Sequence, residues 1–201
     1  MNSFNQTRLW PVLLSNRTLT VAGKEYFLGH LHSFGFDLVI PASGKYAEQV
    51  IPIHVEFSSH CISIGPKDDE KEFDFSEIGH DHLIIDHRRK NRKFCPVRYE
   101  WSRRLPRLVG EIGEMKCYFA KYENWMIISG IDHEGCTVDY EVFFQLTKMG
   151  SKLKLFIESA YVRLPGEQGP GTPSDKSSIV RFKVIAAKRM RNEPIRRPPR
   201  R

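Results

Sequence analysis

Two Gly-His-x-His units, at residues 29–32 and 79–82, set pairs of imidazoles two positions apart. On a strand both rings of such a unit project to one face, where they could grip one metal ion or work on one substrate. His87 follows the second unit closely, and Glu158 lies on an apolar run much later in the chain. His80, His82 and His87, with Glu158 as an alternative base and His133 as a further imidazole, are the groups suited to proton transfer near neutral pH. Chemistry on a phosphodiester would also need cations to stabilise the charge that develops in the transition state.

Cations of that kind are abundant after residue 86. The run His87-Arg88-Arg89-Lys90-Asn91-Arg92-Lys93 is followed by Arg98, Arg103, Arg104 and Arg107. Lys152 and Lys154 alternate with Leu153 and Leu155, while Arg181 and Lys183 alternate with Val180, Phe182 and Val184. If the two runs are strands of one sheet, Lys152, Lys154, Arg181 and Lys183 gather on one face suited to phosphate contacts. The plainer alternative is a solvated face whose lysines discourage edge pairing. Phe94, Tyr99 and Trp101 stand among the cations, where they would either stack on exposed bases or pack inward beneath a loop.

His80-x-His82 followed by Asp86-His87 distantly resembles the metallo-β-lactamase pattern H-x-H-x-D-H, with two additional residues before the Asp-His pair. The strand–helix alternation of that fold is missing, so a metal-dependent hydrolase is kept only as a further alternative, with no metal ligand assigned. A helix followed by a small antiparallel sheet with a cationic face, over residues 98–190, is loosely similar to compact ribonuclease toxins of the RelE/barnase type. That similarity implies a metal-independent ribonuclease in which Arg181 and Lys183 stabilise charge. No phosphate-binding glycine loop, nucleophile elbow or kinase motif is present, and residues 166–171 read as a flexible connector.

The elements that must position these groups read mostly as short strands. Residues 18–21 and 25–28 flank a hairpin turn, and 36–40, 50–57 and 61–64 are β-rich, the last ending at Gly65-Pro66. Leu105, Leu108, Val109 and Ile112 form one helical stripe, with Pro106 pointing to a helix start near Leu105. Runs at 116–119, 125–128, 137–144, 153–158 and 179–184 predict further strands, with Leu153, Leu155, Ile157 and Tyr161 on one side. Short spacing between them favours an antiparallel meander. The fold class expected is α+β: mainly antiparallel sheet with one or two short helices, a single domain over 1–190, and a mobile basic tail over 191–201.

Charge divides sharply along the chain. Residues 1–86 hold 6 Lys/Arg against 12 Asp/Glu, whereas residues 87–201 hold 25 against 12. The acidic stretch at 68–74 reads as a solvated loop that would fold back over the basic surface as a ligand mimic. This polarity points to a polyanion: RNA or single-stranded DNA, with an acidic protein partner docked by opposed charge as the alternative. Cys61, Cys95, Cys117 and Cys136 are 34, 22 and 19 residues apart, which suits reduced thiols and not a zinc or disulfide framework. No apolar run reaches membrane-spanning length and no secretory signal is visible, so a cytoplasmic protein acting without a cofactor and without a membrane partner is expected.

Overall fold

A computed structural model of the chain describes residues 3–66, 72–119, 125–133, 136–163 and 179–195. Two short helices open it, α1 (Ser3–Thr7) and α2 (Trp10–Asn16), the second carrying Pro11 in its first turn, where no backbone donor is lost. The hairpin β1 (Thr18–Val21) and β2 (Lys24–Phe27) turns through Ala22 and Gly23, both at positive φ, the geometry a two-residue hairpin turn requires. A 3₁₀ turn at Gly29–Leu31 leads to β3 (Phe34–Ile40) and β4 (Gln49–Phe57). The segment expected as a strand at 61–64 begins instead as a 3₁₀ turn, Ser59–Cys61, capped by the Ser58 hydroxyl; only β5 (Ser63–Ile64) is extended.

After β5 come α3 (Phe75–Ile78), a 3₁₀ turn at His80–His82, β6 (Leu83–Ile85) and β7 (Asn91–Phe94). Next are α4 (Pro96–Ser102), α5 (Leu105–Gly110) and a 3₁₀ turn at Ile112–Glu114. The helical stripe is real: Leu105, Leu108, Val109 and Ile112 are all buried, and Pro106 sits in the first turn of α5. The last elements are β8 (Lys116–Phe119), β9 (Trp125–His133), β10 (Cys136–Met149), β11 (Lys152–Arg163), β12 (Ile179–Arg181) and α6 (Phe182–Met190).

The architecture is mixed α+β with mostly antiparallel sheets and short helices. Seven strands form the main sheet in the order β12-β8-β9-β10-β11-β4-β3, beside a three-stranded sheet β5-β7-β6 and the β1–β2 hairpin. Strands β8 to β11 are the expected meander, whereas β11 pairs parallel to β4. Alternation buries Ile51, Ile53, Val55 and Phe57 of β4 against Leu153, Leu155 and Ile157 of β11. Helix α6 covers this face, with Phe182 packed on Phe144 at 5.7 Å between ring centroids.

Two expectations about the late strands fail, each for a local reason. Residues 182–184 are helical: Phe182, Ile185 and Ala186 are buried at helical spacing and Val184 is exposed, so the period of 3.6 prevails over the apparent alternation. Arg181 ends an edge strand paired with β8, and Lys183 lies in the first turn of α6, bonded to Glu114 at 2.5 Å. Three strands separate β12 from β11, so Arg181 and Lys183 do not join Lys152 and Lys154 on one face.

The second correction concerns β11. Phe143 pairs with Ser159 but Phe144 pairs with Ile157, which leaves Glu158 as the extra residue of a β-bulge. The alternation therefore changes phase. Ala160 continues the buried face, and Tyr161 moves to the face that carries Lys154 and Phe156.

Candidate functional site

Asp86 fastens the turn that joins β6 to β7. Its side chain is almost fully buried, and Oδ1 accepts the backbone N–H groups of Arg88 at 2.8 Å and Lys90 at 2.9 Å. Two backbone bonds close the same turn, Asp86 N–H to the Lys90 carbonyl and Arg89 N–H to the Asp86 carbonyl, each 3.0 Å. Arg89 takes the left-handed conformation, φ 60°, that the reversal needs. The result is a rigid loop holding His87, Arg88, Arg89 and Lys90 out into solvent.

The second carboxylate oxygen is used inward. His60 Nε2 donates to Asp86 Oδ2 at 3.0 Å, and the His60 backbone N–H is held by Ser58 Oγ at 3.2 Å. Burial, reinforced by the nearby Arg92 charge, lowers the His60 pKa to about 4, against the opposing pull of Asp86. His60 is therefore neutral near pH 7, with its proton on Nε2 and a lone pair on Nδ1. Burial acts to raise the Asp86 carboxyl, but the bonds from His60, Lys90 and Arg88 outweigh it and hold the group below the usual carboxylate range.

The His87 ring stands 6.1 Å from that of His60 and meets Phe156 edge-on at 5.6 Å. Arg88 Nη2 donates to Glu158 Oε1 at 3.3 Å, so the bulge turns Glu158 toward the cationic loop. Beside them opens a cavity of about 320 Å³. Trp10, Pro11 and Leu14 of α2 form one wall; Glu56, Phe57 and Ser58 at the end of β4 form the other, with His87 and Phe156 at the side. Trp10 is locked there by its indole N–H, which donates to the Phe57 carbonyl at 2.9 Å.

Of the five groups suited to proton transfer, His87 and Glu158 both lie beside Arg88, and His80 and His82 do not join them. His80 and His82 lie on a 3₁₀ turn and not on a strand, so the one-face argument for a His-x-His unit does not apply. That turn is tied to the β1–β2 hairpin through Asp81, which accepts the Ala22 N–H, on the far side of β6 from His87. Among the described residues no three His, Cys, Asp or Glu side chains cluster as metal ligands. The side chains of His133 and Cys136 and residues 166–171 lie outside the described residues. Residues 68–71 do too, while Asp74 caps α3 and Phe73 packs on Phe75.

The cations divide into bound and projecting groups. Arg92 and Arg98 turn inward, both donating to the Ser63 carbonyl. Arg103 pairs with Glu100, Arg104 lies over the Trp101 ring at 4.4 Å, and Lys154 pairs with Glu56 at 2.6 Å. Among the described residues Arg89, Lys90, Lys93 and Lys152 make no ion pair, and Lys152 lies at the opposite end of β11 from Glu158 and the loop. Phe94, Tyr99 and Trp101 are buried, so they are not stacking platforms: Tyr26 packs on both Phe94 and Tyr99, and Trp101 on Tyr140. Of the expected tail, Arg191 lies over the Tyr46 ring at 4.2 Å and Ile195 packs on the core; residues 196–201 lie outside the described residues.

His60 and the anchoring role of Asp86 had no motif of their own. The available signal was Asp86 standing two and four residues before Arg88 and Lys90, the spacing at which an Asp side chain closes a turn on following amides.

No helix among the described residues is long and apolar enough to cross a membrane. Comparison with curated proteins and with solved structures finds no match. A family model does match, over residues 18–190, from the first strand of the hairpin to the end of α6, and it takes in His60, the Asp86 turn and Glu158. By that match the chain belongs to the YjaZ family.

Proposed function

We propose that the chain binds single-stranded nucleic acid, RNA foremost, across the turn at 87–90 and the Phe156 side of the cavity. The supporting observation is the Asp86 anchor. It holds Arg88, Arg89 and Lys90 in one projecting loop beside a half-exposed aromatic ring, so little backbone freedom remains to be lost on binding. Phosphates would meet the three cations, and a base would meet Phe156. His87 and Glu158 flank Arg88, an arrangement suited to cleavage through the RNA 2′-hydroxyl. One group takes the 2′-OH proton as the 2′-oxygen bonds to phosphorus. The other protonates the departing 5′-oxygen, and Arg88 stabilises the phosphorane-like charge.

Retention of a mixed-sequence oligoribonucleotide, measured against salt, tests this reading. Affinity should fall with a log–log slope of roughly 0.7 for each phosphate neutralised. Replacing Arg88, Arg89 and Lys90 together by Ala should reduce both the affinity and that slope. Absence of binding at low salt sinks the proposal.

A second reading rests on the cavity itself, whose walls include Trp10, Leu14, Leu31 and Phe57. Such a pocket fits an apolar side chain of a protein partner, with an acidic rim meeting the cationic loop. Partner binding that survives high salt and is lost on filling the cavity, for example by Ser33→Trp, would favour this alternative.

A further inference from the structure

Arg92 on β7 and Arg98 on α4 both bury their side chains against the turn after β4. Arg92 Nε donates to Ser63 Oγ at 2.9 Å and its Nη2 to the Ser63 carbonyl at 3.2 Å. Arg98 Nη1 donates to that same carbonyl at 2.9 Å and to the His60 carbonyl at 3.0 Å. Two guanidinium groups thus converge on one oxygen atom. Every acceptor they have is neutral, and neither forms an ion pair with a carboxylate among the described residues.

Partly desolvated charges are normally paired, and two like charges sharing an acceptor repel. Asp86, the one nearby carboxylate among the described residues, has its oxygens engaged by His60 and by two backbone amides. Burial, then the neighbouring Arg98, lowers the Arg92 pKa to about 10, and burial lowers that of Arg98 as well. Arg98 is held further by the Tyr161 ring, 5.0 Å from its guanidinium carbon. Room at the Arg92 head depends on Gly65: a Cβ there would come within 3.0 Å of Nη1. Arg92 Nη1 and the Nε and Nη2 of Arg98 are donors without an acceptor among the described residues.

We propose that Arg92 and Arg98, converging on Ser63, form a binding site for a phosphate monoester dianion. Both guanidinium groups meet at the Ser63 carbonyl and keep further donors for a tetrahedral oxyanion, and a doubly charged group answers two cations that have no carboxylate partner among the described residues better than one carboxylate would. The phosphate would come either as free inorganic phosphate or as the terminal phosphate of a nucleic acid strand. Only the second source rests on the function proposed above.

The experiment measures binding of inorganic phosphate by thermal shift and by ³¹P line broadening, against chloride at equal ionic strength. It then compares one oligoribonucleotide carrying a 5′-phosphate, a 3′-phosphate or neither. Wild-type protein should show a saturable phosphate response, weakened about tenfold or more in Arg92→Gln and in Arg98→Gln, with Arg92→Lys intermediate. A terminal phosphate that improves oligonucleotide binding about tenfold, with the gain lost in both variants, identifies the strand end as the source. Phosphate binding without that gain identifies free phosphate and leaves the site standing even if RNA binding fails. Wild-type protein that responds to phosphate no more than to chloride overturns the proposal, whatever the variants do.

Discussion

His60 Nε2 lies 3.0 Å from Asp86 Oδ2, and this bond joins the turn after β4 to the turn between β6 and β7. It couples the main sheet to the small one at the place where the cationic loop emerges. The pairing is a neutral imidazole donating to a carboxylate, since His60 sheds its charge far below pH 6.5. Asp86 is thus the only ion of the pair near neutral pH.

Asp86→Ala should open the loop. It leaves two amides and an imidazole without their acceptor in a nearly closed space, at a cost of about 3 kcal/mol. Urea unfolding measures the loss, and the Arg88 and Lys90 amides should exchange hydrogen faster than the rest of β6 and β7.

Stability should fall as pH drops from about 6.5 toward 4. A histidine whose folded pKa is about 4, against about 6.5 unfolded, binds fewer protons folded than unfolded across that window. The unfolded chain is therefore favoured progressively on acidification, by on the order of 2–3 kcal/mol in total. Below pH 4 the depressed Asp86 carboxyl adds its own loss as it protonates. His60→Gln should flatten the upper part of the profile in a series of urea midpoints.

Glu158→Gln removes an ion pair whose arginine is largely exposed, so stability should change by about 1 kcal/mol or less. RNA cleavage in EDTA should fall by roughly 10²–10⁴-fold in this variant and in His87→Ala. Intact RNA at high concentrations of the native protein would leave binding as the whole function.

Arg181→Ala and Lys183→Ala should leave RNA affinity within about twofold, because Arg181 ends the far edge strand of the main sheet and Lys183, paired with Glu114, lies on α6 against the face opposite Phe156. Filter binding at low salt decides it. A large loss would mean the nucleic acid crosses the whole sheet.

Trp10→Phe keeps the ring of the cavity wall and deletes its indole donor. The Phe57 carbonyl then loses a buried partner, a destabilisation of about 1–3 kcal/mol readable in thermal unfolding.

Strand periodicity was legible wherever one face is buried, as in β4 and the first part of β11, because alternation there is enforced by the core. It misled where two periods fit the same letters. Val180, Phe182 and Val184 alternate, yet Phe182, Ile185 and Ala186 also fit one helix face, and packing on Phe144 decides for the helix. The bulge at Glu158 leaves no mark in composition, since it is a property of the register with β10. His87 and Glu158, which lie beside Arg88, were legible as chemistry-bearing residue types. His60 was not, because what brings it there is the fold of the chain after β4, and a lone histidine beside two serines announces nothing by spacing.

The parallel pairing of β4 with β11 joins Ile53 to Leu153, residues made a hundred peptide bonds apart. During synthesis the β3–β4 hairpin therefore emerges from the ribosome long before its neighbour exists. Its open edge, with Ile51, Ile53 and Val55 on the uncovered side, must wait in the unfinished chain. Folding should accordingly be slow and late, gated by completion of β11, and truncation before residue 152 should yield insoluble protein that depends on a chaperone.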